Sequence, residues 1–345
     1  MSMSSIRLPT LNANFTKTVS TLQRLRSRNK SRAHLPHRSY LQSHSTVYPA
    51  ISPLGALAGS AKHFTGSVLI TGSGRGIGRL AALNFARAGV AKVVITSRSG
   101  DELDEVEKLI KSDPQFQDVK VVKFVGDILK EDDVERLFDA AGDVEVLINN
   151  AGALEKPTKI AESKADQWFR TWEGTYLPTR ELLRRLERSP RSSPVTIINT
   201  SSVGSINTSI GYSSYQSSKS AINRFTEFLH YEYPGTIRTF AYHPGGVKTK
   251  LSAVRGEVAE PTLRDDPELA GCYALWLATQ PEKADFLRGR YSSCKWVGWV
   301  FTPNNELLCL RASFQDVDEL VARKAEVEEN GLLFTVVAGL MPIRS

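Results

Sequence analysis

The chain has 345 residues, of which 41% are hydrophobic and 23% charged, a balance that supports one large α/β domain plus end segments in a soluble protein. Its formal charge of +7 resides in the first 60 residues, which hold eight basic side chains (Arg7, Lys17, Arg24, Arg26, Arg28, Lys30, Arg32, Arg38) and no Asp or Glu; the remainder is close to neutral, which excludes a nucleic-acid-binding body. Cys272, Cys294 and Cys309 form no CxxC pair, no His/Cys cluster has zinc-ligand spacing, and the apolar stretch from Gly331 to Ile343 is too short to span a bilayer, so a disulfide scaffold, a zinc centre and a membrane span are all excluded.

Residues 1–60 are rich in Ser, Thr, Arg and Leu and lack lasting apolar periodicity. That is the composition of a mitochondrial presequence, and Arg38-Ser39-Tyr40 resembles a processing site. A disordered extension or a misplaced start codon gives the same composition, so the expected location stays open between cytoplasm and mitochondrion. From residue 61 onward the chain reads as a single domain. Val68-Leu69-Ile70 predicts a first strand that ends in a Gly-rich turn, followed by a helix over Leu80–Ala88 and a second strand over Lys92–Thr96. Asp101–Lys111 predicts an acidic-start helix, Val119–Val125 a third strand, Glu131–Ala140 a helix and Val144–Ile148 a fourth strand. Val195–Asn199 and Ile237–Tyr242 predict the fifth and sixth strands. Such alternation implies an α/β fold, a doubly wound parallel sheet with helices on both faces.

Between the first strand and its helix lies Thr71-Gly72-Ser73-Gly74-Arg75-Gly76-Ile77-Gly78. Glycines there permit a tight turn and let backbone N–H groups at a helix N-terminus approach a pyrophosphate. Asn149-Asn150-Ala151-Gly152 follows the fourth strand, Ser202 the fifth, and Tyr215-x-x-x-Lys219 comes thirteen residues after that serine. His243-Pro244-Gly245-Gly246-Val247-x-Thr249 follows the sixth. In this order and spacing the motifs resemble the short-chain dehydrogenases/reductases, over roughly residues 62–296 and again from Asp316.

The resemblance implies a single Rossmann-like domain, a nicotinamide cofactor and a small ketone or alcohol substrate, with Ser202, Tyr215 and Lys219 as the catalytic group. Tyr215 and Lys219, four apart, share one helix face. The lysine's charge favours the phenolate, so that a phenol with an ordinary pKa of roughly 10 can exchange a proton near neutrality. Ser202 would orient the substrate oxygen, with Ser201 and Tyr212 as the neighbouring competitors. Cofactor contacts carried over by the resemblance fall on Gly72, Arg75, Gly76, Ile77, Gly78, Asp127, Asn150, Gly152, Arg180, Tyr215, Lys219, Val247 and Thr249. At the second strand's end, Thr96-Ser97-Arg98 lacks the acid that accepts ribose hydroxyls in NAD-preferring relatives. Arg98 and Arg75 instead offer charge to a 2′-phosphate, which points to NADP(H). Relatives are commonly dimers or tetramers, so a homo-oligomer is expected.

Two departures from the family pattern stand out. Fungal biosynthetic-cluster reductases, which the chain resembles, read approximately Trp-Glu-Val-Asn-Val-Lys-Gly-Thr-Tyr where this chain runs Trp172-Glu173-Gly174-Thr175-Tyr176. The missing asparagine normally supports a proton-relay water near the lysine, while a loss of about four residues is close to one helical turn. The stretch Val297–Gln315 has no counterpart; it is either a translated intron or a substrate-binding insertion carrying Trp299, Phe301 and Cys309. Two function classes follow. One is an active NADP(H)-dependent oxidoreductase, on a polyketide- or terpenoid-like ketone by analogy; the other is a catalytically weakened, nucleotide-binding regulator or scaffold.

Overall fold

The computed structural model describes residues 44–255, 262–295, 317–322 and 324–325. All of them belong to the second of two units into which the chain divides, Leu41–Ser345. The insertion at 297–315 and the residues before 44 lie outside the described residues.

Seven parallel strands form one sheet in the order β3-β2-β1-β4-β5-β6-β7. They are β1 (Ser67–Thr71), β2 (Lys92–Ser97), β3 (Lys120–Val125), β4 (Val144–Asn149), β5 (Val195–Thr200), β6 (Ile237–His243) and β7 (Tyr291–Ser293). Sequence periodicity places six of these to within one or two residues; β7, only three residues long, carries no periodic signal. Every residue of β1 and β5 is buried, as expected of strands covered on both faces. The edge strand β3 differs, exposing Lys120 and Lys123, charges that discourage pairing with another sheet.

Successive side chains of the strands feed two cores. Val68 and Ile70 face a core built with α1 (Gly76–Arg87) and α2 (Gly100–Lys111), whose Leu103, Val106 and Ile110 are buried there. Leu69 and Val94 face the other, built with α3 (Glu131–Ala141) and α4 (Ala165–Arg188), and the Leu229 of α5 (Ser213–Glu232) joins them. The first core also takes α6 (Pro267–Thr279), buried along its whole length from Leu269 to Thr279. A short helix, α7 (Pro281–Ala284), leads toward β7, and α8 (Val317–Ala322) is the last described helix. Gly271 lets α6 and α1 cross closely, since a Cβ there would lie 2.9 Å from the Ala81 nitrogen. Among the described residues no helix is long and apolar enough to cross a membrane.

Two expectations change. The body does not begin at residue 61: Tyr48, Ile51 and Leu57 are buried in the first core beside Ala61 and Phe64. The Ser45 carbonyl accepts from the Asp266 N–H at 2.7 Å, tying this segment to the start of α6. Its apolar residues are too irregularly spaced to announce an element, yet they fill a groove that the sheet and α6 leave open. The second change concerns α1, which begins at Gly76 rather than Leu80, so that the Gly-rich turn itself supplies the first helical residues.

The pattern's gap at Glu173-Gly174 leaves no break: α4 runs unbroken from Ala165 to Arg188, even through Pro178. Gly174 sits against Ile128, where an added Cβ would lie 3.2 Å from Cδ1. Removing about one turn keeps the same stripe facing inward, because 3.6 residues complete a turn.

Candidate active site

Strand order reverses between β3 and β4, so β1 and β4 send their following loops to opposite faces and a crevice opens at their carboxyl ends. A cleft of about 1000 Å³ occupies it, reaching from the Gly-rich turn to Lys295.

The floor of the cleft is prebuilt. Gly72 and Gly76 adopt positive φ angles of 63° and 55°, and a Cβ on Gly72 would come within 2.9 Å of the Ala151 backbone. The Asn150 amide donates to the carbonyls of Thr71 (3.0 Å) and Gly72 (3.1 Å), locking the turn to β4. From outside, Arg79 donates to the Gly74 carbonyl through both Nε and Nη2 while pairing with Glu105 at 2.8 Å. Gly72, Arg75, Gly76 and Ile77 line the cleft. Gly78 does not: it is buried, and a Cβ there would lie 2.5 Å from both Asn150 Nδ2 and the Gly72 carbonyl. It packs α1 against the Gly72–Ser73 turn and Asn150, behind the cleft wall where the sequence reading placed a cofactor contact.

At the cleft's outer end, Arg98 is exposed after β2 and has no carboxylate partner among the described residues. Arg75 is already engaged, pairing with Glu102 at 2.8 Å. Asp127 and Ile128 line the same end, and Asp127 Oδ1 accepts from the Leu129 N–H at 3.1 Å. Arg180 departs from the expectation. It pairs with Glu131 at the start of α3 at 3.0 Å and is absent from the cleft wall, because its position on α4 faces α3.

The catalytic candidates converge at the inner end. Ser202, just past β5, faces the cleft and its Oγ accepts from the Gly204 N–H at 3.0 Å. Ser201 is buried and donates to the Lys219 carbonyl at 3.3 Å, which commits its hydroxyl to α5 and separates the two serines. The Lys219 Nζ lies 5.6 Å from the centroid of the Tyr215 ring and donates to the Thr200 carbonyl at 2.7 Å. Tyr212, at the N-cap of α5, shares the cleft wall but stands about two turns away from that lysine. Burial pushes the Lys219 ammonium down to about 8. Gly152 leaves room beside it, since a Cβ there would lie 3.9 Å from Nζ.

The loop after β6 closes the far wall. His243 accepts from the Val203 N–H through Nδ1 at 3.1 Å, and burial pushes its pKa down to about 4, so the ring is neutral and ties β6 to the Ser202 loop. Val247 is buried, and Thr249 exchanges hydrogen bonds with Ser252 while its methyl sits over Gly76. Sequence reasoning missed Asp265. This buried carboxylate accepts from the Gly246 N–H at 2.6 Å and from Lys295 at 2.6 Å, pinning the glycine turn to the chain beyond β7. No motif marks it, since its partners are distant in the chain.

A dinucleotide fits these residues. The Gly-rich turn offers N–H groups at the N-terminus of α1, glycines leave backbone exposed where side chains would intrude, and the outer end is cationic. What the inner end can do is hold a substrate oxygen between a hydroxyl and a phenol, beside a buried ammonium.

The sequence profile of the family described as short chain dehydrogenase matches residues 66–259. The short chain dehydrogenase mpl6 of Monascus purpureus is 35% identical over 298 residues, covering 83% of this chain and 91% of its own. The short chain dehydrogenase tazN of Aspergillus terreus is 33% identical over 300 residues, covering 82% of this chain and 58% of its own. Among solved structures, the 3-ketoacyl-(acyl-carrier-protein) reductase from Brucella melitensis, crystallised with NADH, superposes with a TM-score of 0.58 at 26% identity over 66% of this chain and 96% of that one.

Proposed function

The chain belongs to the short chain dehydrogenase family, a family of oxidoreductases, and from that premise we propose that it transfers a hydride between NADP(H) and a ketone or alcohol carbon of a small molecule. The observation that carries this reading is the meeting of Ser202, Tyr215 and Lys219 at the inner end of a cleft whose outer end presents Arg98 and Arg75. When bound, the nicotinamide supplies or accepts the hydride.

The protein's own groups handle the oxygen. Ser202 Oγ donates a hydrogen bond to the substrate oxygen and fixes its angle. Tyr215 Oη gives its proton to that oxygen during reduction and takes it back during oxidation. Lys219, charged below about pH 8, lowers the cost of the phenolate by standing over the ring. The Asn150 amide and Arg79 hold the Gly-rich turn still, so the seat for a pyrophosphate is formed before the cofactor enters.

The substrate reading, a polyketide- or terpenoid-like ketone in secondary metabolism, rests on resemblance to fungal relatives and on the breadth of the cleft. A homo-oligomer belongs to the same reading. The test is NADPH consumption with a panel of such ketones. The parent protein should turn over, and Tyr215→Phe and Ser202→Ala should each lose about 10²–10⁴-fold. Full activity in Tyr215→Phe overturns the catalytic reading. A parent that binds both cofactors yet reduces nothing favours the regulator or scaffold.

A further inference from the structure

The outer end of the cleft holds a carboxylate that the cofactor reading does not use. Glu102 is the third helical residue of α2, following the N-cap Ser99, which is where a capping box would send its carboxylate back to the N-cap N–H. Only half of that box is made. Ser99 Oγ accepts from the Glu102 N–H at 3.5 Å, but the Ser99 N–H donates to Ser97 Oγ instead, at 3.1 Å. The Glu102 carboxylate is thereby released from capping and turns into the cleft.

There one oxygen, Oε1, accepts from two cations: Arg75 of the Gly-rich turn at 2.8 Å and Lys250 of the loop after β6 at 3.3 Å. The other, Oε2, lies against Gly74, 2.9 Å from where a Cβ would stand, with Ser97 Oγ 3.0 Å from that same point. The carboxylate thus bridges two walls of the cleft at the site to which Arg98 also contributes. Both ion pairs hold Glu102 below the usual carboxylate range despite its partial burial, so it is anionic at neutral pH.

We propose that Glu102 is an internal stand-in for the 2′-phosphate of NADP(H), holding Arg75 and Lys250 in the free protein and yielding both when the phosphate enters. This rests on the NADP(H) reading above and adds two residues to it: Lys250 as a third cation and Glu102 as the group that sets selectivity. The charges balance. Arg75, Arg98 and Lys250 together outweigh one carboxylate by two charges, close to the −1.5 to −2 of a phosphate monoester. A dinucleotide without that phosphate has nothing to displace Glu102, whose carboxylate is then free to accept from a ribose hydroxyl. The residue therefore restrains preference for NADP(H) rather than abolishing binding of NAD(H).

Calorimetric titration of the full chain with NADPH, NADH and adenosine 2′,5′-bisphosphate tests this without turnover. Glu102→Gln should tighten NADPH and the bisphosphate by about three- to tenfold at low salt and leave NADH unchanged or weaker, with the gain shrinking as salt screens the charges. Lys250→Met, an exposed change that removes the same ion pair from its other end, should weaken NADPH and the bisphosphate several-fold and spare NADH. If Glu102→Gln fails to tighten the bisphosphate, or tightens NADH by the same factor, the stand-in is overturned. Equal parental affinities for NADPH and NADH, unmoved by Arg98→Ala, overturn the cofactor reading itself, a separate result.

Discussion

Lys219, which the proposed function places beside Tyr215, shows how a buried ammonium works against stability. Its ammonium is buried with the Thr200 carbonyl at 2.7 Å, and burial pushes its pKa from the ordinary 10.5 down to about 8. Unfolded, the side chain keeps its proton up to the higher value; folded, only up to the lower. Between the two the unfolded chain binds more protons, so stability rises with pH across that window and the buried charge costs most below about 8. Lys219→Met should therefore be inactive yet melt higher than the parent at pH 7, by about 2–6 °C, with the gain fading as the pH climbs past the window. A lower melting temperature at pH 7 would mean that the lost hydrogen bond to Thr200 outweighs desolvation. Asp265 is the opposite case, a buried carboxylate compensated by Lys295 and the Gly246 N–H. Its partners come from the loop after β6 and from beyond β7, so no spacing within the sequence could have joined them.

At the scale of elements, one charged side chain of β6 fastens the C-terminal end of α6, whose body is held by the first core. Arg238 of β6 donates to the carbonyls of Leu277 and Ala278 at 3.0 and 3.1 Å, closing the C-terminal end of that helix. It also pairs with Asp285 at 2.7 Å and donates to Thr196 Oγ1 at 2.9 Å. Replacing it with methionine strands those carbonyls, while Asp285 keeps Arg288 at 3.8 Å. Arg238→Met should cost about 2–4 kcal/mol in urea unfolding, with a change under 1 kcal/mol showing that water replaces the guanidinium. Helix α6 was illegible in the sequence because it is apolar all round: burial from Leu269 to Thr279 leaves no polar stripe for periodicity to reveal. Helix α4 poses the reverse problem. Its sequence departs from the family pattern, but a loss near one turn preserves its inward stripe, and the helix is continuous.

For the whole molecule, the boundary of the body is the quantity most changed by packing. Tyr48, Ile51 and Leu57 lie in the larger core, and each fully buried side chain of this size is worth about 1.5–3 kcal/mol. A chain starting at residue 44 should keep the parent's cooperative melt, whereas one starting at residue 61 should melt far lower or fail to fold. Equal melting temperatures for the two would show that these contacts add nothing. The removed residues 1–43 can be assayed in the same series. Fused to a reporter, they should direct it to mitochondria on the presequence reading, and a diffuse signal would assign them to the cytoplasmic alternative.

The sequence by itself determined the positions of six strands along the chain, the Gly-rich turn and the family, because each is written in local periodicity or in fixed short spacings along one helix or turn. Tertiary structure alone decided the rest. That Gly78 packs while Gly76 lines the cleft, that Arg180 turns to Glu131, and that residues 44–60 enter the core all depend on which neighbours the fold brings close. The same holds for Glu102. In sequence it reads as a capping residue, and only the arrival of Arg75 and Lys250 from two other loops makes it part of the cleft. Contacts between segments far apart in the chain are set by the packing of whole elements, and no local pattern encodes them.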